Sequence, residues 1–300
     1  MLNALTIDVE EYFHPTEVQN SIGVDSWLDL PSRVETQIHR ILDLLDEKNT
    51  KATFFLLGWV AEHHPSVARA IVSAGHEVAC HSYGHQLLYH LNPDEFRADT
   101  RRAVAVIEDA CGVSPRAYRA PSYSVVKKTF WALEILVEEG FTQDSSIYPI
   151  THDRYGIPGF QRHVHTINTA SGPIQEIPIA TARVSTDKLA PVGGGAYLRI
   201  LPYRYTAAGL RRVNSDEGER ACVYFHPWEI DPDQPRLARG VVARLRTYAG
   251  LDGMYRKVSR LLTEFKFTTL SAAYGFPGTS CRTVDQRLPL ALSPKPLRSR

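Results

Sequence analysis

The sequence predicts an α/β fold in which parallel strands are surrounded by helices, as in a (β/α) barrel. Three observations carry that reading: short apolar runs of strand length, amphipathic helical stretches alternating with them, and glycines or capping residues at the junctions. With 300 residues, 43% hydrophobic and 22% charged, the chain has length enough to bury one large core.

The elements follow in order. Ala4 to Val9 is a short apolar run suited to a buried strand. Ser32 and Glu35 form a capping-box pattern ahead of Val34, Ile38, Ile41, Leu42 and Leu45, which recur at helical spacing. Ala52 to Leu57 is a second strand, Pro65 to Ala74 a short helix stopped by Gly75, and His76 to Ala79 a third strand. Pro93 to Cys111 is a long amphipathic helix ending at Gly112. A fourth strand leads into Arg119, and a helix from Lys127 to Glu139 stops at Gly140.

From about 146 to 216 the character changes: prolines are frequent and three glycines run together at Gly193–Gly195, so loops and short strands are expected. The alternation resumes with a strand at Ala221–His226, a helix from Gly240 to Tyr248, and a closing strand at Phe265–Leu270. The expectation is one domain over 1–277, decorated at 146–216, with a flexible tail over 278–300.

Composition excludes several classes of protein. Lys and Arg (34) nearly balance Asp and Glu (33), so no broad positive field attracts nucleic acid. No segment has the roughly 18 apolar residues of a membrane span, and the start MLNALTIDVEEYFH enters a strand at once, without a basic leader. The four cysteines, Cys80, Cys111, Cys222 and Cys281, form no CxxC pair, which favours a reducing compartment and a cytoplasmic protein.

Four segments rich in reactive side chains fall where strands should end, the edge at which function collects in an α/β barrel. They are Asp8-Val9-Glu10-Glu11, His81-Ser82-Tyr83-Gly84-His85, Arg119-Ala120-Pro121-Ser122, and Tyr224-Phe225-His226-Pro227-Trp228. His81 and His85 are four apart, so one helical turn after the strand would aim both imidazoles at one point. Two imidazoles and a carboxylate suit zinc or another divalent ion, with positions left open for water and substrate. Histidines at this spacing also arise by coincidence among twelve; the carboxylate cluster and the Arg-Xaa-Pro favour the functional reading. Asp8 and Glu10 share one face of an extended strand, with Val9 on the other. One carboxylate can then bind metal while the other accepts a proton.

These segments, with ATFFLLGWV and QDSSIYP, resemble the polysaccharide deacetylase superfamily, the NodB-homology or carbohydrate esterase family 4 fold. They are most similar to the deacetylases of exopolysaccharide loci linked to PEP-CTERM/exosortase systems. The likeness runs from about Leu5 to Tyr274, with the motifs in the family's order. It implies a distorted barrel and a metal-dependent enzyme, most simply a zinc enzyme, that removes N-acetyl groups from the amino sugars of a glycan. It further implies Asp8 as catalytic base, Glu10, His81 and His85 as metal ligands, and Arg119 as the group orienting the base. His226 becomes the general acid, Asp144 the carboxylate that pairs with it, and the main-chain N–H of Ser122 the oxyanion donor.

The chain departs from the commoner pattern. Asp-Val-Glu replaces adjacent aspartates, which leaves Glu11 as a competitor to Glu10, and Ser122 rather than an aromatic residue follows the Arg-Xaa-Pro. Tyr123 and Trp228 are candidates to stack on sugar rings, although aromatics at such places also serve as packing. Three other readings remain: an amidohydrolase of a small cyclic amide on the same fold, a non-catalytic glycan-binding or scaffold protein, and a metal-dependent glycosidase or lyase. Glycosidases ordinarily work with two carboxylates flanking the bond and need no such metal set.

Overall fold

The computed structural model describes residues 1–185 and 188–278. Its strands, in chain order, are β1 (Leu2–Val9), β2 (Thr53–Leu56), β3 (Glu77–Cys80), β4 (Ala117–Tyr118), β5 (Gln143–Asp144), β6 (His165–Thr169), β7 (Gly172–Glu176), β8 (Thr181–Ser185), β9 (Lys188–Pro191), β10 (Cys222–Phe225) and β11 (Lys266–Thr268). The main sheet runs β10-β1-β2-β3-β4-β5-β7-β6, with β11 also paired to β1, and β8 and β9 form a separate hairpin. Every pairing in the main sheet is parallel except β6 with β7. Between β5 and β10 an irregular segment takes the place of a ladder: Ile177 N–H donates to Asp144 O (2.8 Å) and Ala180 N–H to Cys222 O (3.0 Å). The expected parallel α/β architecture is therefore present, distorted where these single bonds substitute for strand pairing.

Strand alternation sorts the buried side chains into two cores. Leu5, Ile7 and Val9 of β1, Phe54 and Leu56 of β2, Val78 and Cys80 of β3 and Tyr118 of β4 pack outward against the helices. Ala4, Phe55, Ala79, Ala117, Cys222 and Tyr224, in the opposite phase, meet one another inside the ring of strands. The inward phase continues past the strand ends as Asp8, Glu10, His81, Arg119 and His226. Sequence parity alone thus delivers five reactive groups to one rim.

The helix Pro93–Cys111 has the expected bounds. Asn92 accepts the N–H groups of Asp94 and Glu95, Glu95 returns a bond to Asn92 N–H, and Gly112 ends the helix in the left-handed region (φ 71°). Other expectations need correction. Ser32 and Glu35 do not cap the helix Val34–Glu47; its first N–H groups are taken by Glu11, from β1's end. The helix expected over Lys127–Glu139 is a 3₁₀ turn, Lys127–Thr129, followed by a helix, Trp131–Glu138. Segment 146–216 contains two helices, Gly195–Ile200 and Tyr203–Arg211, besides its short strands. A further helix, Leu251–Glu264, buries Leu251, Met254, Val258 and Leu261 at helical spacing, a pattern the sequence reading passed over. The expected tail lies outside the described residues apart from Gly278.

Candidate active site

The inward-facing groups open into a cleft of about 380 Å³ whose lining includes Asp8, Glu10, His81, His85, Ser122, Tyr123, His226 and Trp228. Of the ten residues singled out from sequence, the cleft thus brings together eight; Arg119 lies directly behind it, and Asp144 stands apart.

Glu10 is the centre of the set. Its Oε1 lies 3.0 Å from His81 Nε2 and 2.9 Å from His85 Nε2, and all three residues are buried. Burial alone would raise the Glu10 carboxyl, but the imidazoles of His85, His226 and His81 hold it well below the usual carboxylate range. His81 Nδ1–H donates to the carbonyl of Arg119 (2.8 Å), which leaves the Nε2 lone pair turned toward Glu10 in the neutral ring. In that neutral ring the lone pair and the carboxylate oxygen, 3.0 Å apart, are both acceptors, an arrangement satisfied by a shared proton or a metal ion. The three ligand atoms lie within 4.8 Å of one another, and an N,N,O donor set of this kind suits a divalent metal. The residues present fit the ion.

His81 and His85 do not lie on a helical turn. Ser82 (φ 64°) and His85 (φ 51°) are in the left-handed region, and the loop between them is held by Asp99, which accepts the N–H groups of Tyr83 (2.8 Å) and Gly84 (3.0 Å). Gln19 Nε2 sits 3.1 Å from His85 Nδ1. Left-handed conformations at non-glycine residues are strained by about 1–3 kcal/mol each. Four of the five among the described residues, Ser82, His85, Ser122 and Tyr123, lie at or beside this cleft.

Asp8 is fixed by one buried cation. Arg119 donates from Nη1 to Asp8 Oδ1 (2.6 Å) and Thr6 Oγ1 (2.8 Å), from Nη2 to Ser145 Oγ (2.8 Å), and from Nε to Ser145 O (3.1 Å). Its guanidinium lies over the Phe55 ring at 4.0 Å. The other oxygen, Oδ2, faces His226 Nε2 at 3.9 Å, and Glu10 Oε1 lies at the same distance from that nitrogen.

The partner of His226 is Glu229, and this corrects the expectation for Asp144. His226 Nδ1 lies 3.0 Å from Glu229 Oε2, which also accepts the His226 main-chain N–H (3.1 Å). Glu229 in turn takes a bond from Arg199 Nε (2.9 Å), and Arg199 donates onward to the carbonyl of Arg246 (2.5 Å) and to that of Ala249. Burial would lower the His226 imidazole, but Glu10, Glu229 and Asp8 raise it to about 9, so it is an imidazolium at neutral pH. Asp144 is in register with Tyr118, whose side chain is outward. It therefore points away from the rim, where Ser146 Oγ donates to it (2.5 Å) and Glu176 is its acidic neighbour. Burial raises both carboxyls of that pair, Glu176 well above its ordinary value because Asp144 adds repulsion. The missed Glu229 had a signal in the sequence: His226-Pro227-Trp228-Glu229 is a proline-started helical turn with an acid three residues after its cap.

Glu11 is settled by the same alternation. Its Oε1 accepts from Arg33 N–H (2.9 Å) and Val34 N–H (3.1 Å), with Ser32 Oγ donating as well, so it caps a helix rather than joining Glu10. Ser122 (φ 49°) lines the cleft, on a segment tied down by Ala120 N–H to Ser146 Oγ (2.8 Å). Tyr123 is packed edge-on against Tyr148, Tyr155 and Tyr224, and Trp228 stacks on His226 with ring centroids 5.0 Å apart.

Parts of the chain are similar to known proteins. Residues 27–141 match the family profile described as polysaccharide deacetylase, and residues 145–275 match a domain of unknown function, DUF3473. His81, His85 and Arg119 thus fall in the first segment, and His226, Glu229 and Arg199 in the second. A peptidoglycan-N-acetylglucosamine deacetylase of Bacillus cereus is 35% identical over 96 residues, 32% of this chain and 35% of that protein. A chitooligosaccharide deacetylase of a Bradyrhizobium species is 30% identical over 135 residues, 44% of this chain and 59% of that protein. Each alignment spans less than two thirds of the relative's length. Among solved structures, a candidate polysaccharide deacetylase from Mycobacterium smegmatis superposes with a TM-score of 0.59 over 92% of both chains, at 21% identity, a likeness of fold. Over residues 27–141, and in its fold, the chain is similar to the polysaccharide deacetylases.

Proposed function

We propose that this chain is a metal-dependent N-deacetylase that hydrolyses the acetamido groups of amino sugars in an exopolysaccharide or its precursor. The PEP-CTERM/exosortase-linked deacetylases are the nearest group by motif, and zinc is the expected ion. One observation carries the reading: an arginine-held carboxylate (Asp8), a buried Glu-His-His set and a cationic His226 converge on one point. Amide hydrolysis needs a base, an electrophilic centre and an acid for the departing amine, and here each has a separate group.

Glu10, His81 and His85 would hold the cation, which when bound lowers the pKa of water and polarises a carbonyl. Asp8 accepts the proton of the attacking water through Oδ2, since Oδ1 is occupied by Arg119. The main-chain N–H of Ser122, a residue that lines the cleft, is the donor assigned to the negative oxygen. His226, kept protonated by Glu229, delivers its Nε2 proton to the leaving sugar nitrogen, and the C–N bond breaks to give acetate and free amine. Trp228 and Tyr123 supply aromatic surface beside the reacting centre.

The test is acetate release from N-acetylglucosamine oligomers by zinc-loaded protein, with Asp8→Asn and His81→Ala alongside. Release abolished by either change and by chelator supports the reading. A chain that binds one equivalent of zinc but releases no acetate from any N-acetylated glycan refutes the substrate class.

A further inference from the structure

The helix Val241–Tyr248 presents an unusual outer face. Val241, Val242 and Leu245 are 75%, 64% and 59% exposed, three of the nine large apolar side chains that stand exposed among the described residues. At 3.6 residues per turn they share one arc. Arg244 borders that arc on one side and Arg246 on the other, while Ala243 and the buried Thr247 occupy the inward face. Single exposed apolar residues are ordinary on protein surfaces; three on one helical turn are a patch.

Among the described residues Arg236, Arg239 and Arg244 beside the patch form no ion pair, whereas Arg246 pairs with Asp153 (3.0 Å) and lies 4.0 Å from Glu17. Between Gln234 and Leu251 there are four arginines, Arg236, Arg239, Arg244 and Arg246, and no aspartate or glutamate, in a chain whose overall net charge is +1. An apolar arc rimmed by arginine fits an interface that is apolar below and anionic above. That is the chemistry of an acidic bilayer, where aliphatic side chains enter the acyl boundary and guanidinium groups meet headgroup phosphates. A protein partner would need an apolar patch of its own, ringed by acids; a bilayer offers both layers everywhere.

The position has a further meaning. Arg246 and Thr247 of this helix line the cleft, as do Thr16 and Glu17 of the helix Thr16–Ile22, against which it packs. A surface lying on this face would have the cleft mouth beside it. We propose that the Val241–Tyr248 face is a docking surface for an anionic phospholipid bilayer. The docking requires nothing of the chemistry in the cleft, so it stands or falls separately from the deacetylase reading.

The test is co-sedimentation of the full chain with phosphatidylglycerol–phosphatidylcholine vesicles and with phosphatidylcholine vesicles alone, in low and high salt. The expected result is partitioning to the anionic vesicles that weakens with salt. It should fall on the order of tenfold or more in a Val241→Ser, Val242→Ser, Leu245→Ser variant, and roughly fivefold for each of Arg239→Gln and Arg244→Gln. Thermal melting of the variants verifies that they are folded, and Val184→Ser, at an exposed apolar residue on β8, should bind like the parent. No partitioning to anionic vesicles, or partitioning unchanged by these substitutions, would overturn the proposal. So would a parent chain that sediments as a dimer and becomes monomeric in the serine variant, because the face would then belong to a second copy.

Discussion

Glu229 sits behind His226, 3.0 Å from its Nδ1; with Glu10 it favours the charged imidazole, and it orients the ring so that Nε2 faces the cleft. Because the acid is three residues from the histidine on one short turn, the pair is local, and Arg199 anchors it from another helix.

Glu229→Gln should therefore lower the His226 pKa from about 9 toward the ordinary histidine value. A histidine raised in the folded state stabilises the fold fully below its unfolded pKa, and that contribution is lost as pH rises through about 9. In the variant this loss should begin at lower pH. Nuclear magnetic resonance titration of the chelated protein reads the shift directly. In the loaded enzyme the alkaline limb of the rate profile should move the same way, with a kcat loss of roughly 10–100-fold.

Arg119 is a buried charge whose removal strands another. Arg119→Met should cost about 3–5 kcal/mol, because Asp8 loses its counter-ion while Thr6 and Ser145 lose a donor. Urea unfolding measures it. Asp8→Asn, Arg119→Met together should recover part of that loss, since no carboxylate is then left unpaired; a double variant as unstable as the simple sum would contradict this account.

Glu10 and Glu11 separate by assay. Zinc should raise the melting temperature of the parent chain, and Glu10→Gln should abolish that rise. Glu11→Ala should keep one equivalent of zinc but lose about 1–2 kcal/mol of stability, because the helix Val34–Glu47 loses its cap. Isothermal calorimetry with zinc distinguishes the two; loss of zinc binding in the Glu11 variant alone would reverse the assignment.

Asp144→Asn should leave the His226 titration where it is, since Asp144 bonds to Ser146 and neighbours Glu176 instead. The expected effect is a stability change of roughly 1 kcal/mol, through Ser146 and the Ala120 N–H that rests on it. A His226 pKa lowered as far as in the Glu229 variant would restore the original pairing.

These four cases also show what is legible in the sequence. The shared face of Asp8 and Glu10, and the opposite face of Glu11, follow from alternation along one strand and need no partner information. The place of Asp144 depends on which residue of β4 it registers against, and a two-residue strand carries no pattern from which to read that. The His81–His85 loop was misread as helical because its conformation is set by Asp99, on a helix that begins only after the loop. Glu229 and the helix Leu251–Glu264 are different, since their capping and spacing signals were present in the chain. The helices in 146–216 are short, and their prolines and glycines masked them.

The pairing of β1 with β10 and β11 has a consequence for the life of the chain. Asn3, beside the first strand's start, accepts the N–H of Ala221, a partner 218 residues away, and β1 finds its neighbours on that side only in the last third of the sequence. During synthesis Asp8 is therefore made long before the strands that complete its side of the sheet. The approach of His226 Nε2 to Asp8 Oδ2 thus forms only once β10 has been made and paired with β1. β1 precedes both matched segments and pairs with β2 of the first and β10 of the second, so neither segment carries the strand that holds Asp8.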